Sequence, residues 1–147
     1  MLVWNTFPNR HFQPADTVLG QSGFTQSTRN DDDQNGAIDA TPTARTLYRP
    51  WAVAGNGVQL AVADTDNNRV LIWNRMPTAS FQPADVVLGQ GDFNRSQYDD
   101  TNQDGVIDDT PSAHTTSHPT GLLFHGNRLV VVQGADGGNR VTIFEGQ

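Results

Sequence analysis

Hydrophobic positions in this chain come in short runs, separated by clusters of Asp, Asn, Gly and Pro. Trp51 to Ala54 is an apolar run behind Pro50, and Gln59 to Ala63 follows the turn-forming Gly55-Asn56-Gly57. Arg69 to Trp73 is β-branched and aromatic and follows Asp64-Thr65-Asp66-Asn67-Asn68, while Ala84 to Leu88 lies behind Pro77 and Pro83. Short apolar runs bounded by turn formers predict strands, here A, B, C and D of one unit. Their inner positions favour small and medium residues (Ala52, Val53, Ala54, Ala61, Val62, Ala63), which suit a sheet packed on both faces. A four-stranded meander is expected.

The pattern repeats. Trp4-Asn5 recurs as Trp73-Asn74, Phe12-Gln13-Pro14-Ala15-Asp16 as Phe81-Gln82-Pro83-Ala84-Asp85, and Val18-Leu19-Gly20-Gln21 as Val87-Leu88-Gly89-Gln90. The same spacing of 69 residues carries Gly36 to Gly105, Ile38 to Ile107, Pro42 to Pro111 and Pro50 to Pro119. After Leu60 and Leu129 it slips by two, so that Asn68-Arg69-Val70 matches Asn139-Arg140-Val141. Two copies of one supersecondary unit therefore fill the chain, about 3–71 and about 72–144, and a repeat dictates architecture.

The stretch Arg49-Pro50-Trp51-Ala52-Val53-Ala54, followed by Leu60-Ala61-Val62-Ala63-Asp64-Thr65-Asp66-Asn67-Asn68-Arg69-Val70-Leu71-Ile72-Trp73, resembles an NHL repeat. Ala84-Asp85-Val86-Val87-Leu88-Gly89-Gln90 is similar to the linker strand of a bacterial subset of long NHL repeats. The second copy departs from the pattern at Val132-Gln133-Gly134-Ala135-Asp136-Gly137-Gly138-Asn139-Arg140, which lacks the aspartate of position 64. The resemblance implies an all-β fold of β-propeller blades, usually about six to a ring, acting as a binding scaffold. Two four-stranded blades are expected per chain, one of them split between the termini. Since a ring takes at least about four blades, two outcomes stay open. Chains associate head to tail into a homo-oligomer, with a trimer giving six blades, or the sequence is an excised or engineered part of a longer propeller.

Composition narrows the chemistry. Every basic residue is Arg, Glu145 is the only glutamate, and the formal net charge is -7. Long surface helices are disfavoured without Lys and Glu, as is a sequence-independent grip on nucleic acid phosphates. With no cysteine there is neither a disulfide framework nor a thiolate metal site. No apolar run approaches the roughly 20 residues of a membrane helix, and the N-terminus lacks the pattern of a signal peptide.

Between strand D and the next strand A each unit carries a long insertion, about 22–48 and about 91–117. Loops of this length are usually functional or disordered. Asp100-Thr101-Asn102-Gln103-Asp104-Gly105-Val106-Ile107-Asp108-Asp109 fits D-x-N-x-D-G-x-I-D, and Asp31-Asp32-Asp33-Gln34-Asn35-Gly36-Ala37-Ile38-Asp39 matches it at the repeat spacing. Calcium takes six to eight oxygen ligands at about 2.3–2.6 Å, and alternate side chains of such a loop converge on one point. The expected ligands are Asp31, Asp33, Asn35, the Ala37 carbonyl and Asp39, and then Asp100, Asn102, Asp104, the Val106 carbonyl and Asp108. Gly at position six allows the sharp turn, and Ile38 and Ile107 are expected to pin each loop to the body. Pro42 and Pro111 stand where an EF-hand has its bidentate Glu, so the loops resemble the short aspartate repeats of thrombospondin and dockerin type. Weak affinity in the range of extracellular modules follows, and with it an extracellular or cell-surface setting. The alternative is a solvated acidic turn, stabilised by its Asx residues.

Other candidates carry less. Asp64, Asn67, Asn68 and Arg69 read as turn-forming and blade-bridging residues. His11, His114, His118 and His125 share no repeat positions and no metal-ligand spacing, and Ser22 and Ser96 lack a nucleophile's context. Trp4, Trp51 and Trp73 read as inter-blade packing, with sugar stacking the lesser reading. Function is thus expected to be a non-catalytic, calcium-stabilised repeat module for self-assembly or for a protein or glycan ligand. The competing reading is a lactonase-like hydrolase or lyase with an axial metal, for which Asn56 or His125 would be needed.

Overall fold

The computed structural model describes residues 1–108, 110–134 and 138–146. Its strands are β1 (Leu2–Val3), β2 (Thr17–Val18), β3 (Pro50–Gly55), β4 (Leu60–Asp64), β5 (Arg69–Trp73), β6 (Val86–Leu88), β7 (Pro119–His125), β8 (Arg128–Gln133) and β9 (Arg140–Glu145). They form three antiparallel sheets in chain order: β1-β2, β3-β4-β5-β6 and β7-β8-β9. The fold is all-β, as the alternation of short runs and turns requires. None of the sheets closes on itself.

The inner strand β4 of the four-stranded sheet is buried on both faces, which is why its sequence is apolar up to Asp64. Leu60 and Val62 join Leu71, Trp73, Leu19, Leu47 and Ala84 in one core, with Met1 and Val3 of the N-terminal strand packed against it. Ala61 and Val70 point the other way and meet Leu129 and Val131 of β8, flanked by Leu122, Phe124 and Phe144. Each fully buried Leu or Val contributes about 1.5–3 kcal/mol. The small Ala61 lets the three-stranded sheet approach closely.

The repeat is present in the backbone as well as in the sequence. Among the described residues, the non-glycine positions with positive φ fall into pairs: Phe12 and Phe81, Asn30 and Asp99, Gln34 and Gln103, Arg49 and His118, Asn68 and Asn139. Each long insertion is closed at its base by a parallel bridge, Gly20 to Thr46 and Gly89 to Thr115. Glycine is required there twice over. Gly89 has φ +90°, and a Cβ on it would collide with the Thr116 hydroxyl.

Several expectations need correction. Strand D was expected from Ala84, but β6 starts at Val86, because the Ala84 N–H donates to the Ala44 carbonyl of the insertion (2.8 Å). The N-terminal strand D does not complete the three-stranded sheet within this chain. It is β2, and it pairs with β1 in the register Leu2 to Val18 and Val3 to Thr17. Of the tryptophans, Trp73 is buried while Trp51 is exposed, with the Arg49 guanidinium 5.7 Å from its ring centre. The second B–C turn falls partly on Ala135 to Gly137, outside the described residues.

One departure in sequence has a clear structural answer. Gln133 occupies the place of Asp64, since Pro119 pairs with Gln133 as Pro50 pairs with Asp64. Asp64 accepts from the Tyr48 N–H (2.6 Å), and Gln133 accepts from the Ser117 N–H (2.8 Å) at the matching position. Asp64 forms a fully buried ion pair with Arg69 Nε at 2.7 Å. Arg140 instead reaches Gln133 Oε1 at 3.2 Å, and among the described residues its Nε has no partner.

Candidate metal sites

The two aspartate loops have different sequences and the same hydrogen-bond frame. In the first, Asp31 Oδ1 accepts from the Asn35 N–H (3.0 Å) and Oδ2 from the Gly36 N–H (2.9 Å). In the second, Asp100 Oδ1 accepts from the Asp104 N–H (3.0 Å) and Oδ2 from the Gly105 N–H (2.9 Å). Position five closes the turn on position seven: Asn35 Oδ1 accepts from the Ala37 N–H (2.7 Å) and Asp104 Oδ1 from the Val106 N–H (2.8 Å). Position nine returns to position two, with Asp39 Oδ2 accepting from the Asp32 N–H and Asp108 Oδ2 from the Thr101 N–H, both at 2.7 Å. Asp33 and Asn102 at position three accept from the N–H of position five at 3.1 and 3.0 Å.

This frame folds each loop around its first aspartate, which is buried, while Asp33 and Asp104 stay exposed. Gly36 and Gly105 sit at φ +88° and +89°, the left-handed bend that only glycine adopts without strain. The result is a gathering of negative charge. Carboxylate oxygens of Asp31, Asp33 and Asp39 all lie within 4.8 Å of one another. Oxygens bound to one calcium at about 2.3–2.6 Å lie at most about 5 Å apart, so the trio fits a shared cation. Loop two exchanges the residues at positions three and five, Asn102 and Asp104 for Asp33 and Asn35, and keeps three carboxylates overall. Among the described residues the close trio is found in loop one.

Anchoring differs from expectation. Ile38 and Ile107 are exposed and do not pin their loops. Polar ties do that work. Arg45 Nη2 bonds Asp32 Oδ2 at 2.7 Å, and the Thr43 hydroxyl donates to Asp32 Oδ1 at 2.6 Å. Burial works upward on the Asp32 carboxyl, but the Thr43 hydroxyl and the Arg45 guanidinium outweigh it and hold the group below its ordinary value. Asn30 and Asn67 exchange a reciprocal amide pair at 2.9 Å, tying loop one to the turn between β4 and β5. Asp99, the counterpart of Asn30, reaches Arg140 at 3.3 Å.

One contributor escaped the motif. Gln34 accepts from the Ser22 N–H (2.9 Å) and its amide donates to the Asp31 carbonyl. Gln103 accepts from the Gly91 N–H (2.7 Å) and donates to the Asp100 carbonyl. This glutamine staples the loop to the end of its strand D. Its recurrence at the repeat spacing was the signal available. Of the four residues expected to form the turn and bridge units, Asn68 bonds to Thr116 and His118 and Arg69 to the Phe93 carbonyl of the next unit. Asp64 and Asn67 bond within their own unit, and Thr65, not among the four, donates to the Pro119 carbonyl.

No protein-family model matches the chain, and neither a curated protein nor a solved structure matches it. Among the described residues no helix is long and apolar enough to cross a membrane.

Proposed function

We propose that this chain is a non-catalytic repeat module of NHL-type propeller blades, in which each inserted loop holds one calcium ion. The observation that carries the reading is the frame shared by two loops that differ in sequence. The carboxylates at positions one and nine accept backbone N–H groups, as in an Asx-stabilised turn; what a solvated turn does not need is the third carboxylate that each loop carries at position three or five. Asp31, Asp33, Asn35, Asp39 and the Ala37 carbonyl hold the first ion, and Asp100, Asn102, Asp104, Asp108 and the Val106 carbonyl hold the second. A bound ion neutralises carboxylates that otherwise repel one another, and so fixes the insertion against the B–C turn it touches. Stabilised in this way, the module serves as a scaffold for further copies of itself or for a protein or glycan partner in a calcium-rich, extracellular or cell-surface setting.

Thermal melting tests this. Calcium at tenfold its dissociation constant adds about 1.4 kcal/mol per site, which raises the melting temperature by several degrees in a domain of this size. Magnesium, which demands a tighter octahedral geometry, is expected to do much less. An identical melting temperature in calcium and in chelator would remove the reading.

A further inference from the structure

The joint between the four-stranded and three-stranded sheets is made inside the chain, and its contacts are specific. Asn68, at φ 53°, offers its carbonyl to the Thr116 hydroxyl (2.7 Å) and to Gln90 Nε2 (3.0 Å). Its side chain accepts from the His118 N–H (2.9 Å) and donates to the Ser96 carbonyl (2.9 Å). The Thr65 hydroxyl adds a bond to the Pro119 carbonyl at 2.7 Å. Gln90, Ser96, Thr116, His118 and Pro119 are thus a socket, and the turn ending at Asn68 is its plug.

One repeat earlier the same positions are Gln21, Ser27, Leu47, Arg49 and Pro50. They line a cavity of about 540 Å³. Gln90 Nε2 serves both the Gln97 and the Asn68 carbonyls, whereas among the described residues Gln21 Nε2 has the Thr28 carbonyl alone. The corresponding plug lies at the other end of the chain. Asn139 has the same left-handed backbone, φ 39°, and is exposed. The apolar surfaces follow suit. Val70, sealed by the next sheet, is 0% exposed, and its counterpart Val141 is 62% exposed; Leu122 packs into the second core, and its counterpart Val53 is 55% exposed.

We propose that the cavity beside Gln21 is a socket for Asn139 of a second copy of this chain, whose β9 replaces β1 along β2. This rests on the repeat-module reading above and gives it a partner. Strand exchange follows from the made joint, where the plug runs directly into β5 and β5 lies along β6. A plug entering the open socket brings β9 to the same place on β2. That place is held by β1, whose pairs Leu2 to Val18 and Val3 to Thr17 reproduce Leu71 to Val87 and Ile72 to Val86. Met1 itself lines the cavity. β1 is a short placeholder, and β9 is a longer strand at an unpaired sheet edge. Such an edge readily accepts another strand, and β9 meets β2 with Thr142 opposite Val18 and Ile143 opposite Thr17. The contact is head to tail, so an open assembly keeps one free socket at one end and one free plug at the other.

Sedimentation of two variants tests the proposal. The plug variant carries Asn139→Ala and Val141→Asp, and the socket variant carries Gln21→Ala and Val53→Asp; both valines are exposed, and circular dichroism verifies folding. Wild-type chain associates as concentration rises, and each variant alone associates at least about tenfold more weakly. Mixed in equal amounts, the variants regain a single working joint and form one-to-one dimers and nothing larger. Leu2→Cys with Val18→Cys, oxidised, locks β1 in place and blocks association, and reduction restores it. A monomeric wild type, unaffected variants, a mixture that stays monomeric, or a locked chain that still associates would each overturn the proposal. Calcium uptake is read separately on the wild-type chain: uptake without association as concentration rises sinks this inference alone, and association without uptake sinks the calcium reading alone.

Discussion

Asp64 and Gln133 occupy one structural position in two units, and the difference between them sets their worth. Asp64 and Arg69 are both fully buried, and the carboxylate also takes bonds from Asn67 and the Tyr48 N–H. Removing one partner of such a pair leaves the other charge stranded, at a cost of about 3–5 kcal/mol. Arg140, by contrast, is partly exposed and also reaches Asp99 and the Thr115 carbonyl. Asp64→Ala is therefore expected to lower unfolding free energy by about 3–5 kcal/mol, and Gln133→Ala by about 1–2 kcal/mol, measured by urea unfolding. Equal losses would mean that burial of the pair does not decide its contribution. The sequence exposed the exchange of Asp for Gln, but not that the amide would keep the Ser117 N–H bond and accept from Arg140 Nη2. That depends on side-chain reach, which residue type alone does not specify.

At the scale of elements, strands were readable because apolar runs and turn residues alternate so sharply, and β5 spans the residues expected of strand C. The loops were readable because aspartate spacing repeats. Their attachment was not, since Ile38 and Ile107 looked like anchors while Arg45, Thr43 and Gln34 perform that role from positions with no motif of their own. The Asp32 tie makes a pH prediction. Its carboxyl is held below the ordinary value of 3.8 in the folded chain. A depressed carboxyl contributes stability that is fully present above the unfolded value and is lost as pH falls through the folded one. Stability is expected to fall on acidification below about 3.8, and Asp32→Asn to flatten that part of the profile. The pair is partly exposed, so the effect is under about 1 kcal/mol. Urea midpoints of both proteins across acidic pH give the comparison, and parallel profiles would count against the tie.

For the whole molecule, a spacing of 69 residues predicted units that stack, and the three sheets do stack, with one joint completed between the second and third. By the same spacing Leu2 to Trp4 is a partial strand C ahead of the N-terminal strand D, and β1 lies along β2 as β5 lies along β6; what the spacing did not show is that only Leu2 and Val3 of it would pair. If each unit carries its own calcium loop, two ions bind per chain, and direct counting of bound metal is the sharpest test. Equilibrium dialysis against radioactive calcium is predicted to give saturable uptake of two ions per chain. Asp33→Ala and Asp104→Ala alter exposed residues, leave the fold intact, and each remove one ion; together they remove both. Uptake that never saturates, or that ignores both substitutions, would contradict the account.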